Sequence, residues 1–245
     1  MFTRANPWRI ALRGLSRASS SNVPLTNDIR SDLRALLRET AQPVAVVTSL
    51  MPTQAGTSLE GHNRFHGATL SSFSSISMDP HPLVAFSLRI PSRMATALNS
   101  ADADSPLSHL VINILSAAQA SIAVRFSRPD LHSQPFASTP YLLTDDGLPV
   151  LEGCLGALSC KLVGVSWPLH DLHQLKGSSW GNEKTSWEGE GAASELFIAQ
   201  VTKVEQLSTA EEGRECARTT PLLYYRRSYA TTCDISSQES IAKKS

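Results

Sequence analysis

The sequence predicts a mainly β protein, an antiparallel barrel with a few peripheral helices. Three observations carry this. Short β-branched or alternating runs, bounded by Gly, Pro, Asn, Asp and Ser, recur along most of the chain. Helical periodicity is confined to a few short segments. The strands also lack the regular strand–helix–strand rhythm of a doubly wound parallel sheet. The 245 residues suffice for one sizeable core, and 41% hydrophobic with 18% charged residues is a globular composition.

Lys+Arg and Asp+Glu both total 22, so no global charge recommends a nucleic acid or an acidic substrate. No apolar run approaches the roughly 20 residues of a membrane span. The four cysteines, Cys154, Cys160, Cys216 and Cys233, lack CxxC spacing. They form neither a zinc signature nor a disulfide framework, which favours a reducing compartment.

Residues 1–26 stand apart. Arg4, Arg9, Arg13 and Arg17 precede the first acid, Asp28, and Trp8, Leu12 and Leu15 share one helical face. This Arg-rich, Ser-rich, acid-poor pattern is that of a mitochondrial targeting segment, and the expected location is the matrix. If the segment is only a basic tail, the location is cytoplasmic.

The domain proper is expected over 27–233. In "NDIRSDLRALLRE", Ile29, Leu33, Leu36 and Leu37 recur at helical spacing, the pattern of a surface helix with one face covered. "PVAVVTSL" from Pro43 is a buried strand, and residues 51–67 form a polar loop. "ATLSSFSSISM" reads as one strand, with Leu70, Ile76 and Met78 on a mainly apolar face and Thr69, Ser71, Phe73, Ser75 and Ser77 on a mainly hydroxylated one. "PLVAFSLR" and "HLVINIL" are strands, and "AAQASIAVRFS" is a helix. "LEGCLGALSCKLVGVSW" makes one long or two short strands. A long polar loop spans 168–193, "ELFIAQVTKVEQL" is a strand, and "PLLYYRRSYAT" closes the fold. Residues 234–245 are a polar tail.

The hydroxyls of the opening strands raise a chemical question, because strand interiors favour bulkier groups. A phosphate needs convergent donors, and Thr69 to Ser72, followed one strand later by Ser87, Arg89, Ser92 and Arg93, supply hydroxyls and guanidinium groups. On residue types alone, an anionic ligand and a serine-rich edge with solvated arginines both remain open. No GxGxxG or GxxxxGK[ST] is present, so a Rossmann or P-loop nucleotide site lacks support.

Four blocks then carry a resemblance: "GATLSSFSSISMDPHPLVAFSLRIPSRMA", "HLVINILSAAQASIAVRFS", "GLPVLEGCLGALSCKL" and "PLLYYRRSYA". Their order resembles that of the flavin reductase-like family, FMN-binding split barrels, over Pro43 to Tyr229. The resemblance implies an antiparallel, Greek-key-like split β-barrel forming a homodimer. It places the flavin ring near Thr69, Leu70, Ser71 and Ser72, and the phosphate near Ser87, Leu88, Arg89, Ser92 and Arg93. Asn113 supports the site from its strand or is purely structural. FMN is the implied flavin, with FAD second, and NADH or NADPH is the hydride donor. Reduced flavin is used in place or passed to a partner oxygenase. The flavin supplies the electronics and the protein supplies position and charge, so no catalytic triad is expected.

One departure stands out. Relatives read "GDHTIFIGEV" where this chain reads "AASELFIAQV", which sets Ser194 against their histidine. The implied consequence is intact FMN binding with a weaker nicotinamide step, and a flavoprotein without reductase turnover is the rival reading.

The remaining candidates have plainer explanations. His62 and His66, near Glu60, sit in a predicted loop where their spacing carries little, and "HDLH" at 170–173 is equally weak, so no metal is expected. Cys154 and Cys160 read as small core groups. Tyr224, Tyr225 and Tyr229 read as aromatic packing that could border the flavin, and Arg226 and Arg227 as surface.

Overall fold

The computed structural model describes residues 26–52, 61–102, 104–171, 175–176, 193–205 and 216–233. The basic segment before Thr26, most of the polar stretch 168–193 and the tail from Asp234 lie outside the described residues. The chain divides into two compact units, Met1–Leu37 and Arg38–Ser245. Helix α1 (Thr26–Arg38) has the predicted spacing.

The second unit holds β1 (Gln42–Pro43), β2 (Ala45–Leu50), β3 (Phe65–Leu70), β4 (Ser74–Ser77), β5 (Leu83–Ile90), α2 (Arg93–Asn99), β6 (Leu110–Ile114) and α3 (Ala120–Ser127). It continues with β7 (Tyr141–Leu143), β8 (Pro149–Leu151), β9 (Gly156–Leu162), β10 (Trp167–Pro168), β11 (Ala193–Glu205), β12 (Leu223–Tyr225) and β13 (Ser228–Ala230). The principal sheet runs β3-β2-β6-β9-β11-β5-β4, with β10 on β11, and curls into an antiparallel half-barrel. A β1-β12-β13 sheet and a β7-β8 pair flank it. None of the described helices is long and apolar enough to cross a membrane.

The continuous apolar run of β2 follows from burial on both faces. Ala45 and Val47 join Phe86, Met94, Ile112 and Phe197 inside the curl, where Phe86 and Phe197 stack at 5.5 Å. Val44 and Val46 join Val111, Phe126, Phe136 and Leu151 on the outside, beneath α3 and the β7-β8 pair. The alternation of side chains along a strand sends successive residues to the two cores. Cys154 and Cys160 belong to these cores, and burial pushes their thiols up to about 11 and about 12, so both stay protonated.

The single strand expected over 68–78 is two strands with different partners. β3 begins at Phe65, inside the predicted loop, and pairs with β2, whereas β4 pairs with β5. The chain bends between them at Ser71–Phe73, and the bend breaks the facial alternation. Leu70 is buried, yet Ile76 and Met78 are 49% and 70% exposed, while Phe73 packs against the inner core. A two-residue period holds only while a strand keeps one partner and one direction.

Candidate functional site

The bend between β3 and β4 opens one side of a cleft of about 740 Å³. Its floor is β3 from His66 to Leu70 and the end of β5 from Ser87 to Arg89. It is also lined by Ser92 and Arg93 at the start of α2, Ser127 at the end of α3, Ser194 on β11, and Tyr224 and Tyr229 of the β12-β13 hairpin. Antiparallel pairing places Ser194 opposite Arg89 and Leu196 opposite Ser87.

Nine of the ten residues expected from the sequence line this cleft: Thr69, Leu70, Ser71, Ser72, Ser87, Leu88, Arg89, Ser92 and Arg93. They differ in what they offer. The Thr69 hydroxyl donates to Ala123 O over 2.7 Å, tying β3 to α3. Ser72 Oγ both donates to and accepts from the Ser87 main chain. Ser92 Oγ accepts from Ala95 N–H over 3.1 Å and caps α2. Leu70 and Leu88 are buried in the inner core, so what they present to the cleft is main chain. The Ser71 and Ser87 hydroxyls and the Arg89 and Arg93 guanidinium groups enter no hydrogen bond or ion pair among the described residues. Two cations without acidic partners beside free hydroxyls fit an anionic group.

Asn113, the tenth, is fully buried and stands away from the cleft. Its amide donates to Val46 O over 3.0 Å and to Thr48 Oγ1 over 3.2 Å, and its oxygen accepts from Leu151 N–H over 2.8 Å. It is a strut between β2, β6 and β8. A buried amide must satisfy its donors and acceptor, and these partners consume them.

The structure adds His66, which the sequence did not mark as a ligand, and brings Tyr224, Tyr229 and Ser194 to the same cleft. His66 lines it, and burial first, then the Arg93 charge, lower its imidazole to about 4, so it is neutral at physiological pH. Its position on β3 was hidden while Phe65 to Gly67 read as loop. Tyr224 and Tyr229, paired across the hairpin with rings edge-on at 5.7 Å, form an aromatic wall. Ser194, set against a histidine by the resemblance, lines the cleft as well.

The donor set therefore suits a flavin mononucleotide: main chain and hydroxyls along β3 for a planar polar ring, and Arg89 and Arg93 for its phosphate. The comparisons agree with this geometry. A family model described as "Flavin reductase like domain" matches residues 37–232. A flavin reductase of Pseudomonas putida is 31% identical over 132 residues, covering 54% of this chain and 67% of that protein. An FMN reductase (NADH) of Agrobacterium fabrum is 34% identical over 95 residues, covering 39% of this chain and 49% of that protein. The solved structure of the styrene monooxygenase flavin reductase from Pseudomonas putida superposes with a TM-score of 0.55 at 23% identity, covering 82% of this chain and 98% of that one. With a family match that spans most of its length and a cleft whose donors suit a flavin, this chain belongs to the flavin reductase-like domain family.

Proposed function

We propose that the protein is a flavin reductase that binds FMN, with FAD the second choice, and reduces it with NADH or NADPH. The carrying observation is the convergence of Arg89 and Arg93, without acidic partners among the described residues, with the Ser71 and Ser87 hydroxyls on one open cleft. Bound flavin would supply the two-electron chemistry. The chain's own residues hold, orient and neutralise. Arg89 and Arg93 would take the phosphate, the β3 main chain would hold the ring edge, and Tyr224 and Tyr229 would exclude water from one side. Neutral His66 adds a polar group without a further positive charge. None of these residues needs to exchange a proton for the nicotinamide step.

The test is to load the purified protein with FMN, record the flavin bands, and follow NADH and NADPH oxidation. Flavin binding with dinucleotide oxidation is the expected result, and a protein that binds no flavin refutes it. Flavin binding without turnover would support the second reading, an FMN-binding protein with no reductase role. Ser194 in the cleft is the observation that favours that reading.

Three further parts of this proposal rest on an exposed surface, on a relative's name and on a sequence pattern. A second copy of the chain would cover exposed Ile76 and Met78 beside the cleft, giving a homodimer. Reduced flavin would pass to a partner oxygenase, a reading supported by the name of the styrene monooxygenase flavin reductase, which ties that protein to a monooxygenase. The Arg-rich segment before Thr26 supports import into mitochondria.

A further inference from the structure

Glu195 grips both ends of the segment that carries the cleft's cations. Its main chain pairs with Leu88 in the β5-β11 ladder. Its carboxylate accepts a hydrogen bond from Asn99 Nδ2 over 2.8 Å, at the last residue of α2. Between Leu88 and Asn99 lie Arg89, Ser92 and Arg93. The buried Ser166 hydroxyl stands 2.8 Å from Asn99 Oδ1 and 3.0 Å from Glu195 Oε2, so its single proton serves either acceptor and draws the start of β10 to the same point.

This is a demanding choice for a scaffold. A half-buried carboxylate surrenders hydration. It also stands at the C-terminal end of a helix, where the peptide dipoles present negative charge. A neutral acceptor could take the Asn99 proton without either cost. What the carboxylate adds is strength, because a charge-assisted hydrogen bond is roughly twice as strong as a neutral one. The gain matters because α2 has only seven residues. Two turns of hydrogen-bonded helix act as one rigid piece, so fixing Asn99 at one end orients Arg93 at the other.

We propose that Glu195 is a positioning residue that holds the Arg89–Asn99 segment in the form that receives the flavin's phosphate. The inference rests on the phosphate reading given above, and its test separates the two. FMN and riboflavin, which lacks the phosphate, are titrated by flavin fluorescence against the wild type, Glu195→Ala and Glu195→Gln. The wild type should prefer FMN over riboflavin. Glu195→Ala should lower FMN affinity by about tenfold, the scale of one lost hydrogen bond to a charged group. It should leave riboflavin affinity unchanged. Glu195→Gln should fall between the wild type and Glu195→Ala, because its amide oxygen still accepts from Asn99 but without the assistance of a charge. A merely structural role would move both flavins together or neither. Should Glu195→Ala fail to fold, Asn99→Ala removes the same bond from the helix side and must give the same pattern. A wild type that binds both flavins equally overturns the phosphate reading and this inference with it. A preference for FMN that survives the loss of the Glu195–Asn99 bond, or an equal loss for both flavins, overturns this inference alone.

Discussion

Ser72 and Ser87 close the seam between β4 and β5 through a side chain. Ser87 N–H donates to Ser72 Oγ over 2.9 Å, and the Ser72 hydroxyl donates to Ser87 O over 3.1 Å. The ladder proper begins at Ser74 opposite Ala85, so Ser72 extends it past the bend and fixes the cleft's edge. Ser72→Ala is expected to lower the unfolding free energy by about 1 kcal/mol, measured by urea denaturation. Ser71→Ala, whose hydroxyl has no such duty, should leave the urea midpoint in place and weaken FMN binding instead. Equal midpoints for the two variants would remove the structural role given to Ser72.

The pair also shows where sequence reading succeeds and where it stops. β2, β5, β6 and β11 were legible because each keeps one direction and buries alternate residues, which leaves a periodic trace. The gathering of Ser87, Arg89, Ser92 and Arg93 was legible because they follow one another along a strand and the helix after it. The bend at Ser71–Phe73 left no trace, since serine suits a strand, a turn or a ligand contact equally. The division of labour among the hydroxyls was also hidden, because Thr69 finds its acceptor 54 residues away on α3. Asn113 looked like a site residue because a polar side chain within an apolar strand signals function or a buried strut alike. Only its three partners decide.

His66 should make the protein sensitive to acid. Its pKa in the fold is lowered from 6.5 to about 4, by burial and then by Arg93. Above pH 6.5 the imidazole is neutral in the folded and unfolded chains, and its effect is nil. Between about 6.5 and 4 the unfolded chain takes up a proton that the folded chain refuses, so stability falls as pH falls, by at most about 3 kcal/mol. Below about 4 both states are protonated and the loss levels off. Buried His109, also lowered by burial and then by Lys161, acts in the same direction. The His66 share is isolated by His66→Gln, which should flatten the pH dependence of urea stability in this window by up to one proton. An unchanged slope would mean that the folded imidazole titrates normally.

Gly67 is where the cleft floor tolerates no side chain. A Cβ there would stand 2.6 Å from Phe126 Cε1, 2.7 Å from Cδ1 and 3.3 Å from Val47 O. The Phe126 ring is buried and meets Phe136 edge-on at 5.1 Å, so it can give way only toward the cleft it also lines. Gly67→Ala is expected to cost about 1–3 kcal/mol of stability, the range for overpacking a close-packed core. It should also weaken flavin binding by displacing β3. Thermal melting and FMN titration of one preparation check both, and a variant as stable as the wild type would show that α3 yields more readily than this packing implies.

Ser194 is the position at which the nicotinamide step should be adjustable. It faces Arg89 across the β5-β11 ladder, is half-buried, and lines the cleft at the position that the resemblance sets against a histidine. A hydroxyl reaches less far than an imidazole and offers one donor in place of a planar ring. Beside Arg89, an introduced imidazole would be disfavoured as a cation and would stay neutral at pH 7. Ser194→His should therefore raise kcat/KM for NADH by about tenfold, some 1.4 kcal/mol at the transition state. The FMN dissociation constant should change less than this, since a neutral imidazole leaves the Arg89 and Arg93 charges and the β3 main chain in place. Stopped-flow reduction of the FMN-loaded protein separates the two quantities. A variant that binds FMN normally but reduces it no faster would show that this position does not contact the dinucleotide.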